Sequence, residues 1–165
     1  MKAAELLSPP LPKKISDHIK WGQLHGSSMA LAISQLATSQ TEPVLVITSD
    51  TSSALKLAAE IESLLEHTNI PNAYFPDWET LAYDTFSPHQ DIISSRLETL
   101  SQLADLRQAI VLTTLASANS RLCPKSHIDA QRFVVSEGQH LSLEKLASQL
   151  TSGGYLNVES VREHG

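Results

Sequence analysis

The sequence predicts an α/β fold with a mainly parallel sheet flanked by helices. Three observations predict it. Val44-Leu45-Val46-Ile47-Thr48 and Ala109-Ile110-Val111-Leu112-Thr113 are apolar, β-branched runs of strand length, the pattern of strands buried on both faces. Segments between and around them carry apolar residues at helical spacing. The two kinds of segment alternate, as in strands joined by crossover helices.

The elements follow in order. Ser8-Pro9-Pro10-Leu11-Pro12 reads as extended chain, and residues 1–20 are set apart as an N-terminal arm. After Leu24-His25-Gly26-Ser27-Ser28 a helix is expected over Met29, Leu31, Ala32, Ile33 and Leu36. Pro43 leads into the first strand. Asp50, Thr51 and Ser52 offer N-caps to a second helix, with Ala54, Leu57, Ala58, Ile61, Leu64 and Leu65 on its apolar face. Asn69-Ile70-Pro71 ends it, and Ala73-Tyr74-Phe75 reads as a short strand. A loop punctuated by Pro76 and Pro88 comes next. Ile92, Ile93, Leu97, Leu100 and Leu103 then mark a third helix, with Asp91 where an N-terminal acid is favoured. The second strand run precedes a short helix from about Leu115 that ends before Cys123-Pro124. Past Gln131 a strand is expected over Phe133–Ser136 and a turn at Glu137-Gly138. Ser142 should cap a helix carrying Leu143, Leu146 and Leu150, Gly153-Gly154 should stop it, and Tyr155–Val161 reads as a last strand.

Composition narrows the function. The 165 residues carry a formal charge of −6, and of twelve Lys and Arg only Lys13-Lys14 are adjacent, which argues against gripping a DNA backbone. The single cysteine, Cys123, excludes an internal disulfide, fits a reducing cytoplasm, and is expected as a small buried residue. No apolar run approaches the ~20 residues of a membrane span, and Met1–Lys14 lacks a signal-peptide core. The expectation is therefore a cytoplasmic protein with no membrane partner. Arg162-Glu163-His164-Gly165 closes no element, so the chain is expected to be a piece of a longer one.

Local chemistry is sparse. His18, His25, His67, His89, His127, His140 and His164 show no H-x-H or H-E-x-x-H spacing, and solvated or capping roles are favoured over a metal site. Asp50 at a strand end has the look of a metal ligand, as any acid after an apolar strand does. Asp77, Glu79 and Asp84 form a candidate acid cluster, with turn or cap duty favoured. Trp78, Tyr83 and Phe86 are candidates for stacking bases. With acids interleaved and no Lys or Arg between Lys56 and Arg96, packing in the core or against another domain is favoured, and truncating Trp78 is expected to cost ~3–5 kcal/mol. No G-x-S-x-G nucleophile motif is present.

One stretch carries a family signature. Asp77-Trp78-Glu79-Thr80-Leu81, then Tyr83-Asp84, then Phe86-Ser87-Pro88-His89-Gln90-Asp91-Ile92-Ile93-Ser94-Ser95-Arg96-Leu97, resembles the N-terminal module of bacterial transcription-repair coupling factors. Weaker similarity to those factors and to the damage-binding B subunit of the excision nuclease (UvrB) runs from about Trp21 to the end. The resemblance implies a degenerate helicase-like lobe over 21–130 and, over 131–165, the truncated start of an inserted domain that docks onto the A subunit (UvrA). Further strands of that domain, with an Arg-Gly pair, are expected soon after Gly165. In such factors an ATP-driven DNA translocase displaces stalled RNA polymerase and recruits nucleotide excision repair. The resemblance puts contacts with RNA polymerase and DNA, and ATP and magnesium, in other domains. This piece is then a non-catalytic scaffold without a cofactor, and by analogy restrains the distant motor.

The B subunit has a phosphate-binding loop, G-x-x-x-x-G-K-[ST], before its first long helix. Its Lys reaches the β and γ phosphates and its hydroxyl ligates magnesium. The corresponding run here is Gln23-Leu24-His25-Gly26-Ser27-Ser28-Met29-Ala30. Gly26 matches; Gln23 and Ser28 replace glycines, Met29 stands at the Lys and Ala30 at the hydroxyl. Without cation or metal ligand, the helix dipole at ~0.3–1 kcal/mol cannot hold a triphosphate. A loop that only connects is favoured. The alternative is a nucleotide-dependent damage-binding subunit of the UvrB type.

Overall fold

Three parallel strands form the sheet: β1 (Val44–Thr48), β2 (Asn72–Phe75) and β3 (Ile110–Thr114), in the order β1-β3-β2. The computed structural model describes residues 8–14, 16–81, 83–103, 105–131 and 135–160. Ile110 sits opposite both Val44 and Asn72, so the central strand is laddered along its whole length by β1 and from Ile110 to Thr113 by β2. That position explains its composition, because all five residues of β3 are buried.

The pleat sends Ile110 and Leu112 to one face, where α1 (Ser28–Ser39) and α2 (Thr51–Leu65) cover them. Ala30, Ile33 and Ala37 of α1 and Leu57, Ile61 and Leu65 of α2 complete this core, with Trp21, Val44, Val46 and Tyr74 packed at its margin. Ile61, Ile110 and Leu112 are fully buried, each contributing about 1.5–3 kcal/mol relative to exposure. Phe75, one residue after Tyr74, points to the opposite face. There it meets α3 (Gln90–Leu103), and the short α4 (Leu115–Ala118) follows β3 directly.

Caps bound the helices as their residue types require. Asp50 accepts from the Ser53 amide at 2.8 Å and from the Ser49 and Ser53 hydroxyls. The Ser49 hydroxyl, then the Ser53 donors, hold the Asp50 carboxyl below its ordinary range. At the other end of α1, the Gln108 amide donates to the Ala37 carbonyl at 2.8 Å. The arm is tied down too: Pro9 is buried, and the Trp21 indole donates to the Pro10 carbonyl at 3.2 Å.

Several expectations need correction. β1 is an edge strand of the described sheet, and its Leu45 and Ile47 are 62% and 50% exposed, so this strand is covered on one face only. Met29 and Leu64 also face solvent, because Ala30 and Ile61 take the positions that meet the core. The α3 face that packs on the sheet buries Arg96 and Thr99, while Leu97 and Leu103 are exposed. The short helix from Leu115 ends at Ala118, before Cys123 as expected, but Cys123 itself is exposed rather than buried.

The chain divides by its contacts into two units, Met1–Arg121 and Leu122–Gly165. The second holds α5 (Lys125–Gln131), which the sequence reading missed, and α6 (Leu143–Ser152). Lys125 and Asp129 pair across one turn of α5 at 2.6 Å. Ser142 caps α6, and the chain turns away at Gly153 and Gly154, the latter with φ +90°. Of the expected strand at Phe133–Ser136, Phe133 and Val134 lie outside the described residues; Val135 and Ser136 are not in a strand. Nor is any of Tyr155 to Ser160, while Val161 lies outside the described residues. Without a described partner strand, extended chain there has no ladder to join. Among the described residues no helix is long and apolar enough to cross a membrane.

Candidate functional site

Two features identified in the sequence lie in the first unit, the loop before α1 and the loop between β2 and α3. The first turns at Gln23 and Gly26, whose φ angles are +60° and +58°. Ser27 precedes α1 but makes no side-chain cap, and the Ser28 hydroxyl donates back to the His25 carbonyl at 2.8 Å. Met29 is 46% exposed and borders a cleft of about 390 Å³, together with Gly26, Thr48, Ser49, Ser53 and Lys56. Glu60, one helical turn after Lys56, lines the same cleft. Ala30 is fully buried in the α1–α2 core. The residue standing at the hydroxyl position therefore faces packed side chains rather than the cleft.

The second loop hangs from a buried cation. Arg96, only 2% exposed, rises from α3 between two aromatic rings, its Cζ 4.0 Å from the Phe75 centroid and 4.1 Å from that of Trp78. Its Nη1 donates to the Pro76 carbonyl and, at 3.1 Å, to the Ser117 hydroxyl; its Nη2 reaches the Ser120 hydroxyl at 3.3 Å. Ser117 in turn donates to the Pro76 carbonyl at 3.0 Å. The Arg96 Nε finds no acceptor among the described residues. Burial pulls the guanidinium below its ordinary value while the nearby Asp77 carboxylate pulls it up, and it stays charged at any accessible pH. Oxygens in place of a partner carboxylate, and π faces in place of water, keep this charge in the interior.

Beyond the clamp the loop runs into solvent. Trp78 is half-buried as the outer wall of the Arg96 sandwich. Glu79 and Tyr83 take φ of +56° and +71°, a conformation that costs a residue with a Cβ roughly 1 kcal/mol or more. Asp77 accepts from the Trp78 amide at 2.8 Å, and Asp84 accepts from the Thr85 amide at 3.0 Å and the Leu81 amide at 3.4 Å. Ser87 is exposed and Pro88 half-buried. His89 stands just before α3, and its Nδ1 accepts from the Asp91 amide at 3.3 Å when unprotonated. Tyr83 and Phe86 are 105% and 78% exposed, so neither packs in the core of this unit, and of the two expected placements only the one against another domain is open to them.

The structure thus joins Trp78 and Arg96 and leaves Tyr83, Asp84 and Ser87 at the surface. Sequence reasoning missed Ser117 and Ser120, for which no local signal exists. A signal for Arg96 did exist: it is the one basic residue on a helix face it shares with Thr99. Among the described residues no three His, Cys, Asp or Glu side chains are grouped to hold a metal.

Known proteins give the family. No protein-family model matches the chain. The transcription-repair-coupling factor of Escherichia coli K12 is 39% identical over 155 residues, covering 94% of this chain. That of Haemophilus influenzae is 38% identical over all 165 residues. The chain belongs to the transcription-repair coupling factor family. It spans 13% and 14% of the lengths of those two relatives, so it corresponds to one region of each. A UvrABC system protein B, from Mycoplasma mobile, is 24% identical over 151 residues, 85% of this chain and 23% of that protein. The parallel sheet flanked by helices is consistent with an α/β fold related to both.

Proposed function

We propose that this chain is a non-catalytic, N-terminal scaffold of a transcription-repair coupling factor. The observation that carries the reading is the pair Met29 and Ala30, an uncharged thioether beside the cleft and a methyl sealed in the core. A phosphate loop needs a cation and a metal-ligating hydroxyl at those places, and without them charge on a transferring phosphoryl group has no partner. The helicase-like lobe then binds no cofactor, and ATP and magnesium belong to motor domains elsewhere in the polypeptide. RNA polymerase and DNA are engaged by other domains. Residues 131–165 begin the inserted domain that recruits UvrA. The nucleotide-dependent reading of the UvrB type is disfavoured by the same two residues.

The test is binding to purified UvrA. The 165 residues alone are expected to bind weakly, and a chain extended past Gly165 several-fold better. Equal affinity would place the contact before Gly165 and contradict the docking role of the inserted domain. The same preparation, with its charge of −6, is expected not to shift duplex DNA at physiological salt. Micromolar binding that weakens steeply with salt would count against the scaffold.

A further inference from the structure

We propose that the cleft beside Met29 binds a free α-amino acid with an aliphatic side chain, its carboxylate on Lys56, its ammonium on Glu60 and its side chain against Met29, Val46 and Leu57. The site goes beyond the scaffold role and needs only the residues of the cleft. At about 390 Å³ the cleft lies near the lower end of the range of small-molecule sites, roughly 300–1,000 Å³. Part of its lining is apolar. Met29, 46% exposed, Val46 and the buried Leu57 contribute to it, and a branched side chain laid against them takes the adaptable thioether out of water.

Charge identifies the ligand's chemistry. Lys56 and Glu60 stand one turn apart on α2, and both line the cleft. The ion pairs among the described residues are His89 with Asp91 and Lys125 with Asp129, so neither Lys56 nor Glu60 has a salt-bridge partner there. Lys before Glu is the less favourable order for a helical pair, which leaves both charges to a ligand. A lone anion would be held by Lys56 and repelled by Glu60, and a lone cation the reverse. A zwitterion satisfies both. Side chains at this spacing have Cβ atoms about 5–6 Å apart, close enough to grip an ammonium and a carboxylate carried on one carbon. The Ser49 and Ser53 hydroxyls already donate to Asp50, so toward a ligand they offer only lone pairs, which suit the ammonium. A nucleotide phosphate meets Glu60 and finds no second Lys or Arg in the lining.

Saturation-transfer NMR of L-leucine over the purified full-length polypeptide tests this. The expected result is a saturable signal, strongest at the leucine methyls, with a Kd of about 1 mM or tighter for so small a ligand. N-acetyl-leucine lacks the ammonium, leucinamide lacks the carboxylate and glycine lacks the side chain; each should bind about tenfold more weakly or worse. Lys56 is exposed and Glu60 partly so, and both can be changed without disturbing the core. Glu60→Gln should bind leucine and N-acetyl-leucine alike, and Lys56→Gln should bind leucine and leucinamide alike. A loss of folding would not produce that split. Absence of a saturable signal at ten times the expected Kd would overturn the proposal, as would leucine binding unchanged in both variants. A derivative that binds the wild type as tightly as leucine would show that its missing group is not held, and overturn it as well. UvrA binding is read separately, so failure here leaves the scaffold reading where its own test puts it.

Discussion

Replacing Arg96 with alanine is expected to lower the unfolding free energy by about 3 kcal/mol, the largest effect of any single change in the loop region. The substitution removes three hydrogen bonds, to the Pro76 carbonyl and the Ser117 and Ser120 hydroxyls, and two cation–π contacts. It also empties the space between Phe75 and Trp78. Arg96→Lys should recover only part of the loss, because an ammonium cannot lie flat between two rings while reaching both Pro76 and Ser120. Urea melts of the three proteins measure this. A midpoint for Arg96→Ala within error of the wild type would mean that the clamp contributes nothing to the fold.

Trp78→Ala should cost about 2–3 kcal/mol, below the range expected for a fully buried aromatic, because its outer face is already in water. Part of that cost is shared with Arg96, whose guanidinium would lose one of its two covers and meet solvent on that side. A double-mutant cycle should therefore show coupling of about 1 kcal/mol between the two positions. Tyr83→Ala in the same unit should change stability by a few tenths of a kcal/mol at most, since its side chain touches little. Equal costs for Trp78→Ala and Tyr83→Ala would contradict the division of the loop into a clamped stem and a free tip.

The strands and the long helices were legible because each rests on a local pattern. Val44–Thr48 and the run ending in Ile110–Thr114 are apolar and β-branched, and Asp50 and Ser142 are caps recognisable one residue before their helices. What escaped is decided by neighbours far along the chain. The same apolar run that buries all of β3 leaves Leu45 and Ile47 of β1 open, because only sheet order distinguishes a central from an edge strand. Arg96 is buried because Phe75 and Trp78, about twenty residues upstream, and Ser117, 21 residues downstream, converge on it. Tyr83 and Phe86 show the converse, since aromatic content alone does not say which side of a loop meets the core. At the loop before α1, the residue types were readable, but the burial of Ala30 needed the packing of α1 on α2 and the sheet.

The central claim is that the cleft beside Met29 has lost the chemistry of a nucleotide site, and isothermal titration of ATP with magnesium into this chain tests it most directly. No binding heat at millimolar nucleotide is the expected result. Met29→Lys should not restore hydrolysis, and Ala30→Thr should destabilise the fold, because it forces a hydroxyl and an extra methyl into the core. A saturable, magnesium-dependent isotherm with the unmodified chain would contradict the claim.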